Sequence, residues 1–247
     1  MGILELLIVA GAFAAAGLVK GVIGMGLPSV SMGLLVLFMT PLEAAAIVLL
    51  PAFLTNVWQM LAGPDLVQII RRLWPMLVAT CFATWACMGF MTGASAAKYG
   101  SGLLGLALAA YAASAMASLE FSVERGAEPW LGPIVGGMTG AMLAATGVFI
   151  IPGVPYLSSL GLDRERLVQA LGLSFTVATL ALSVNIAAAG ALNTGLVVPA
   201  VIAVALAFAG MRVGQFVRFR LRPQAFRFWY LIGMLLLGLY LATRLLR

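Results

Sequence analysis

The sequence predicts an all-α integral membrane protein. It is read as two inverted repeats, each a glycine-broken helical hairpin followed by three transmembrane helices, eight to ten membrane segments in all. Of the 247 residues, 63% are hydrophobic and only 9% charged, whereas a soluble domain carries roughly 25% charged residues. With a mean hydropathy of +1.12, the chain could not cover its own surface in water, so the bilayer is its solvent. The apolar runs are long, rich in Ala and Leu and not alternating, which selects helices over a β-barrel. A Gly/Pro-rich break near residues 21–28 also recurs about 120 residues later. Paired breaks in two halves of a membrane chain point to a transport site at the bilayer midplane.

The elements follow in order. Region 3–40 is apolar but is interrupted by Gly21-Val22-Ile23-Gly24-Met25-Gly26-Leu27-Pro28, so it should hold two short helices and not one long one. Spans near 42–62, 74–92 and 99–118 come next. Region 129–160 is interrupted at Gly136-Gly137-Met138-Thr139-Gly140 and again from Thr146-Gly147 to Pro152, and is read as a second broken hairpin. Spans near 165–190, 195–211 and 228–244 complete the chain. Met1 to Val19 does not read as a cleavable signal peptide: it lacks a basic n-region, carries Glu5 and precedes many further spans.

The halves, 1–122 and 123–247, match in this order. Glu43 and Glu165 are 122 apart, and Phe53 falls on Phe175 at the same offset; Gly17 and Gly21 fall on Gly136 and Gly140 at an offset of 119. Internal similarity of this kind marks a duplication. Charge sets the orientation. The segment 212–227, with Arg212, Arg218, Arg220, Arg222 and Arg227, should be cytoplasmic. Counting crossings backward places Arg71, Arg72, Arg125, Arg164 and Arg166 on the same side, with both termini outside. Lys20, Lys98, Arg244 and Arg247 are then the basic residues elsewhere, and the last two argue against an external C-terminus. A hairpin plus three crossings is odd, so the halves are inverted.

Lys20 is the first candidate for chemistry. It could snorkel to an interface. Apolar or small residues flank it on both sides, however, and an ammonium beside a glycine break suits an anion held with exposed backbone N–H groups. Gly17-x-x-x-Gly21 and Gly136-x-x-x-Gly140 fit close helix packing. Gly24, Gly26 and Pro28, with Gly147, Pro152 and Pro155, fit unwound backbone that lines a cavity. Thr55, Asn56, Gln59, Gln169, Ser174, Thr176 and Asn185 are polar residues in spans, suited equally to interhelical hydrogen bonds or substrate contact. Glu43 and Glu165 read as helix-start residues. Trp58, Trp74, Trp130 and Trp229 read as interfacial belts, while Trp85 reads as deeper packing. The absence of histidine excludes His-ligated zinc and any Ser-His-Asp triad. Cys81 and Cys87 read as packing thiols, and no nucleotide motif is present.

Gly17 to Pro28, and the run Gly136 to Pro155 followed by Leu167-Val168-Gln169-Ala170-Leu171-Gly172-Leu173-Ser174, resemble the TauE/SafE sulfite exporter family over essentially the whole chain. The resemblance implies an inner-membrane, multi-pass permease that moves sulfite, sulfoacetate or related organosulfonates outward. The family commonly shows three glycines after the first break; here Gly26-Leu27-Pro28 and Gly147-Val148-Phe149 stand in their place. Lys20 belongs to this sequence and is not carried over from the family.

The expected function is therefore alternating-access export of a small sulfur-containing anion. The expected site comprises Lys20, Gly21, Gly24, Gly26, Pro28, Asn56, Thr139, Gly147, Gln169 and Ser174, with no metal, cofactor or nucleic acid. A proton or sodium coupling ion and a homodimer stay open. Alternatives are a channel or permease for another solute, a membrane-embedded enzyme, and a purely structural membrane partner.

Overall fold

The structure is a computed structural model that describes residues 2–92, 94–117, 122–192, 194–218 and 223–246. Its helices are α1 (Ile3–Ile23), α2 (Leu27–Leu35), α3 (Pro41–Leu61), α4 (Leu66–Ala86), α5 (Gly89–Thr92), α6 (Ala94–Met116), α7 (Glu128–Thr146), α8 (Gly153–Ser159), α9 (Arg164–Ala188), α10 (Val197–Arg218) and α11 (Pro223–Ala242). Among the described residues there is no strand, and seven helices are long and apolar enough to cross a membrane. The chain is an all-α membrane protein.

Local chemistry sets the helix ends. Gly24 closes α1 at φ 93° and Gly26 opens α2 at φ 103°, with Pro28 in the first turn of α2. Two left-handed glycines two residues apart stop one helix and start the next. Gly147, at φ 74°, closes α7 in the same way. Thr40 and Glu43 cap α3 reciprocally: the Glu43 carboxylate accepts from the Thr40 N–H at 3.0 Å, and the Glu43 N–H donates to the Thr40 hydroxyl at 3.3 Å.

Three boundaries correct the expectation. The first hairpin is not two short helices, because α1 runs 21 residues and α2 only nine. α4 begins at Leu66, so Arg71 and Arg72 are helical and Trp85 sits near the helix end, half exposed, its indole N–H donating to the Ala181 carbonyl at 3.1 Å. α10 continues to Arg218, which puts Arg212 inside the helix. Hydropathy marks where a segment meets hydrocarbon; backbone hydrogen bonding carries the helix past that limit. Arg220, Arg222 and Arg247 lie outside the described residues, and so does the side chain of Lys98.

The most extensive interfaces are α1 with α10 and α4 with α7, followed by α6 with α11 and α3 with α9. Gly17 and Gly21 lie against the carbonyls of Ala207 and Met211, and Gly136 and Gly140 against those of Met76 and Thr80. A Cβ at any of the four would overlap a backbone oxygen, which is why small residues are required there. Both pairs run parallel. The other two run antiparallel: Gly172 meets Gln59 and Met60, while Gly105 meets Gly238 and Leu241 and Gly102 meets Leu245. Exchanging α1, α2, α3, α4 and α6 for α7, α8, α9, α10 and α11 maps these four interfaces onto themselves.

The bundle has a charged face. Asp65, Arg72, Arg125, Glu128 and Arg166 gather there, at the start of α4, α7 and α9. On the opposite face Arg244 donates to the Val36 carbonyl at 2.8 Å and the Leu37 carbonyl at 3.4 Å. These contacts seal the C-terminal end of α2 and give Arg244 a structural reason to lie away from the charged face.

Candidate functional site

α1 carries Lys20 to the α3 wall. Lys20 is 3% exposed, and its Nζ donates to Thr55 Oγ1 at 3.1 Å and to Asn56 Oδ1. Thr55 and Asn56 are both fully buried. No ion pair to Lys20 exists among the described residues. A buried charge without a counter-charge is costly, and polar neighbours alone offset only part of that cost. Snorkelling is excluded by this burial.

Thr55 Oγ1 and Asn56 Oδ1 accept from Lys20, and Thr55 passes its own proton to the Pro51 carbonyl at 2.8 Å, but not every donor here is met. An ammonium has three protons, two of which are accounted for. Asn56 Nδ2 and Ser174 Oγ are buried with no hydrogen-bond partner. Ser174 lies on α9, where the register that sets Gly172 against Met60 and Gln169 against Gly63 places it level with Trp58, about 200° around the helix from Gly172 and so on the flank away from α3. A buried amide proton on Asn56 and a spare ammonium proton on Lys20 thus occupy one level of the bundle, and both call for an acceptor.

The depth differs from the midplane expected. Lys20 is 17 residues from the start of α1, roughly 25 Å along its axis, and Asn56 is five residues from the end of α3. Both therefore lie nearer the charged face. α1 is a full-length helix and breaks only after crossing most of the bundle.

The remaining candidates do not gather at one point. Gln169 is spent on backbone: its Nε2 donates to the Met60 and Gly63 carbonyls at 2.9 and 2.8 Å, and its Oε1 accepts from the Asp65 N–H at 3.0 Å. Thr139, which the 119-residue offset pairs with Lys20, returns its hydroxyl to the Val135 carbonyl at 2.7 Å and abuts Gly153. Gly21 packs on α10, and Gly24 faces Val168. Pro28 and Gly147, one from each break, line a shared cavity with Phe149 and Phe175. That cavity measures about 20 Å³, room for a single water and not for an oxyanion.

Tyr111 and Tyr230 were not singled out in the sequence. The Tyr230 hydroxyl sits where a Cβ on Gly26 would come within 3.1 Å, and Tyr111 Oη contacts Met25 Sδ at 3.5 Å. Together they wall the tip of the first break. Tyr230 follows Phe228 and Trp229, so in the sequence it passes for part of an interfacial belt.

A family model for the sulfite exporter TauE/SafE matches residues 8–241. The chain belongs to the TauE/SafE sulfite exporter family. Comparison with curated proteins and with solved structures found no match. Membership makes this TauE/SafE protein a multi-pass membrane transporter, of a family that handles sulfite and sulfur anions.

Proposed function

We propose that the protein is a secondary transporter that exports sulfite or a small organosulfonate across the inner membrane by alternating access. Lys20 carries this assignment. It is a fully helical, buried ammonium held by Thr55 and Asn56 with no carboxylate partner among the described residues. An oxyanion would accept from the Lys20 ammonium and Asn56 Nδ2, relieving two unmet donors at once. The Gly24 N–H is already spent on the Lys20 carbonyl at 2.8 Å, so the amide of Gly26, later in the same break, would complete the shell.

Residues 1–122 and 123–247 act as inverted repeats. Two observations support this: equivalent helices that touch, α3 with α9 and α6 with α11, run antiparallel, and the interface set survives exchange of the halves. Rocking one repeat against the other would open the Pro28–Gly147 junction, which is closed to an anion in this conformation. The charged face is assigned to the cytoplasm by its arginines.

Uptake of labelled sulfite into proteoliposomes tests the reading. Lys20→Ala and Lys20→Gln should reduce flux at least tenfold, and Lys20→Arg should retain part of it. Unchanged flux in Lys20→Ala would remove Lys20 from the site. Flux of other solutes without any sulfur oxyanion would remove the substrate.

A further inference from the structure

A second cavity, of about 420 Å³, opens on the charged face and is lined by Asp65, Gln68, Arg72, Arg125, Glu128 and Arg166. Its carboxylates are already engaged. Glu128 receives Arg72 through two hydrogen bonds, at 2.7 and 2.6 Å, and Arg72 also donates to the Leu160 carbonyl at 2.9 Å. Asp65 accepts from Arg166 Nε at 2.7 Å; Asp163, 3.4 Å from the same nitrogen, lies outside the lining. Arg125 is exposed and has no ion-pair partner among the described residues. The lining therefore presents one positive charge in excess, on a guanidinium suited to planar recognition of an oxyanion.

The place of this cleft in the bundle is equally informative. Asp65 of its lining ends the turn between α3 and α4, and Gln169 holds that turn through the Met60 and Gly63 carbonyls and the Asp65 N–H. Asn56, which holds Lys20, lies five residues inward from the end of α3, about 7–8 Å from the turn at the helical rise.

We propose that this cleft is the encounter site for the transported anion, a small sulfur oxyanion held by Arg125 before the α3–α4 turn admits it to Lys20. The assignment rests on the anion-transport reading above. Both ion pairs join the first half of the chain to the second, so the cleft changes shape whenever the halves move. An incoming anion competes with Asp65 and Glu128 for Arg166 and Arg72, and its arrival loosens the ion pairs that join the halves.

The experiment uses proteoliposomes oriented with the Arg125 face outward, and initial rates of labelled sulfite uptake at several ionic strengths. Arg125→Gln should raise KM about three- to tenfold with an unchanged maximal rate, since a steering charge concentrates its ligand without entering the slow step. Its KM should also lose most of the salt dependence seen in the unaltered protein, and Arg125→Lys should restore both. Equal KM and equal salt dependence in Arg125→Gln would overturn the encounter site while leaving the transport reading intact. A lowered maximal rate at unchanged KM would overturn it as well. Absence of sulfite flux in the unaltered protein would defeat the transport reading itself and this site with it.

Discussion

At the scale of single residues, Gly136 and Gly137 are neighbours with opposite constraints. A Cβ on Gly136 would overlap the Met76 carbonyl, whereas one on Gly137 would meet nothing within 4 Å. Gly136→Ala should therefore destabilise the protein by about 1–3 kcal/mol through forced separation of α4 and α7. Gly137→Ala should be neutral, or stabilising by up to about 1 kcal/mol, because alanine is the better helix former. Thermal unfolding in detergent would read the difference, and equal shifts for the two variants would refute the packing assignment. The same contrast shows what the sequence makes legible at this scale. Lys20, Asn56 and Ser174 stand out because a polar group in an apolar run needs a partner. Gln169 stands out for the same reason, yet its partners are backbone groups more than 100 positions away in the chain. Residue type reveals that a hydrogen bond is needed and says nothing of which backbone atoms stand open to receive it. Tyr230 escaped notice because aromatics near span ends are common.

Among the elements, the turn between α3 and α4 depends most on a single distant side chain. Gln169 supplies donors to two of its carbonyls and an acceptor to one of its amides. Gln169→Leu keeps the bulk and removes all three bonds, leaving partly buried backbone groups unmet at a cost of about 1–3 kcal/mol. The Asp65 amide should then exchange its hydrogen much faster, while amides in the middle of α3 stay protected; hydrogen exchange with peptide-level readout measures this. Unchanged exchange at Asp65 would show that the turn holds itself. Gln169→Glu should loosen the turn more than Leu does, because a carboxylate would face the Met60 and Gly63 carbonyls. Helix existence and type were legible for every long span, since each apolar run exceeds the length a core helix needs. Helix ends were not. α4 begins eight residues before its expected span because Arg72, paired with Glu128, lets it run on beyond the hydrocarbon.

For the whole molecule, which helices pack together was only partly legible in the chain. The 119-residue offset matches Gly17 and Gly21 to Gly136 and Gly140, and the structure places each pair against a helix of the other half. Which helix receives them was not legible, because α1 meets α10 nearly 190 residues later and nothing local encodes that choice. The parallel α1–α10 and antiparallel α6–α11 packings together fix the faces. The α3–α4 turn and the 122–127 segment share one face; the N-terminus and the 189–192 segment share the other. The test is impermeant thiol labelling in sealed vesicles of stated orientation, in a background with Cys81→Ser and Cys87→Ser. Ala62→Cys and Gly126→Cys should label together from one side, and Gly2→Cys and Leu192→Cys only from the opposite side. All four positions are exposed, so failure to label from either side would not follow from burial. If Gly126 labelled with Gly2, and Leu192 with Ala62, the connection between α6 and α7 would have crossed the membrane an extra time. The halves would then be parallel, and α6 could not lie antiparallel to α11 as Gly105 and Gly238 require.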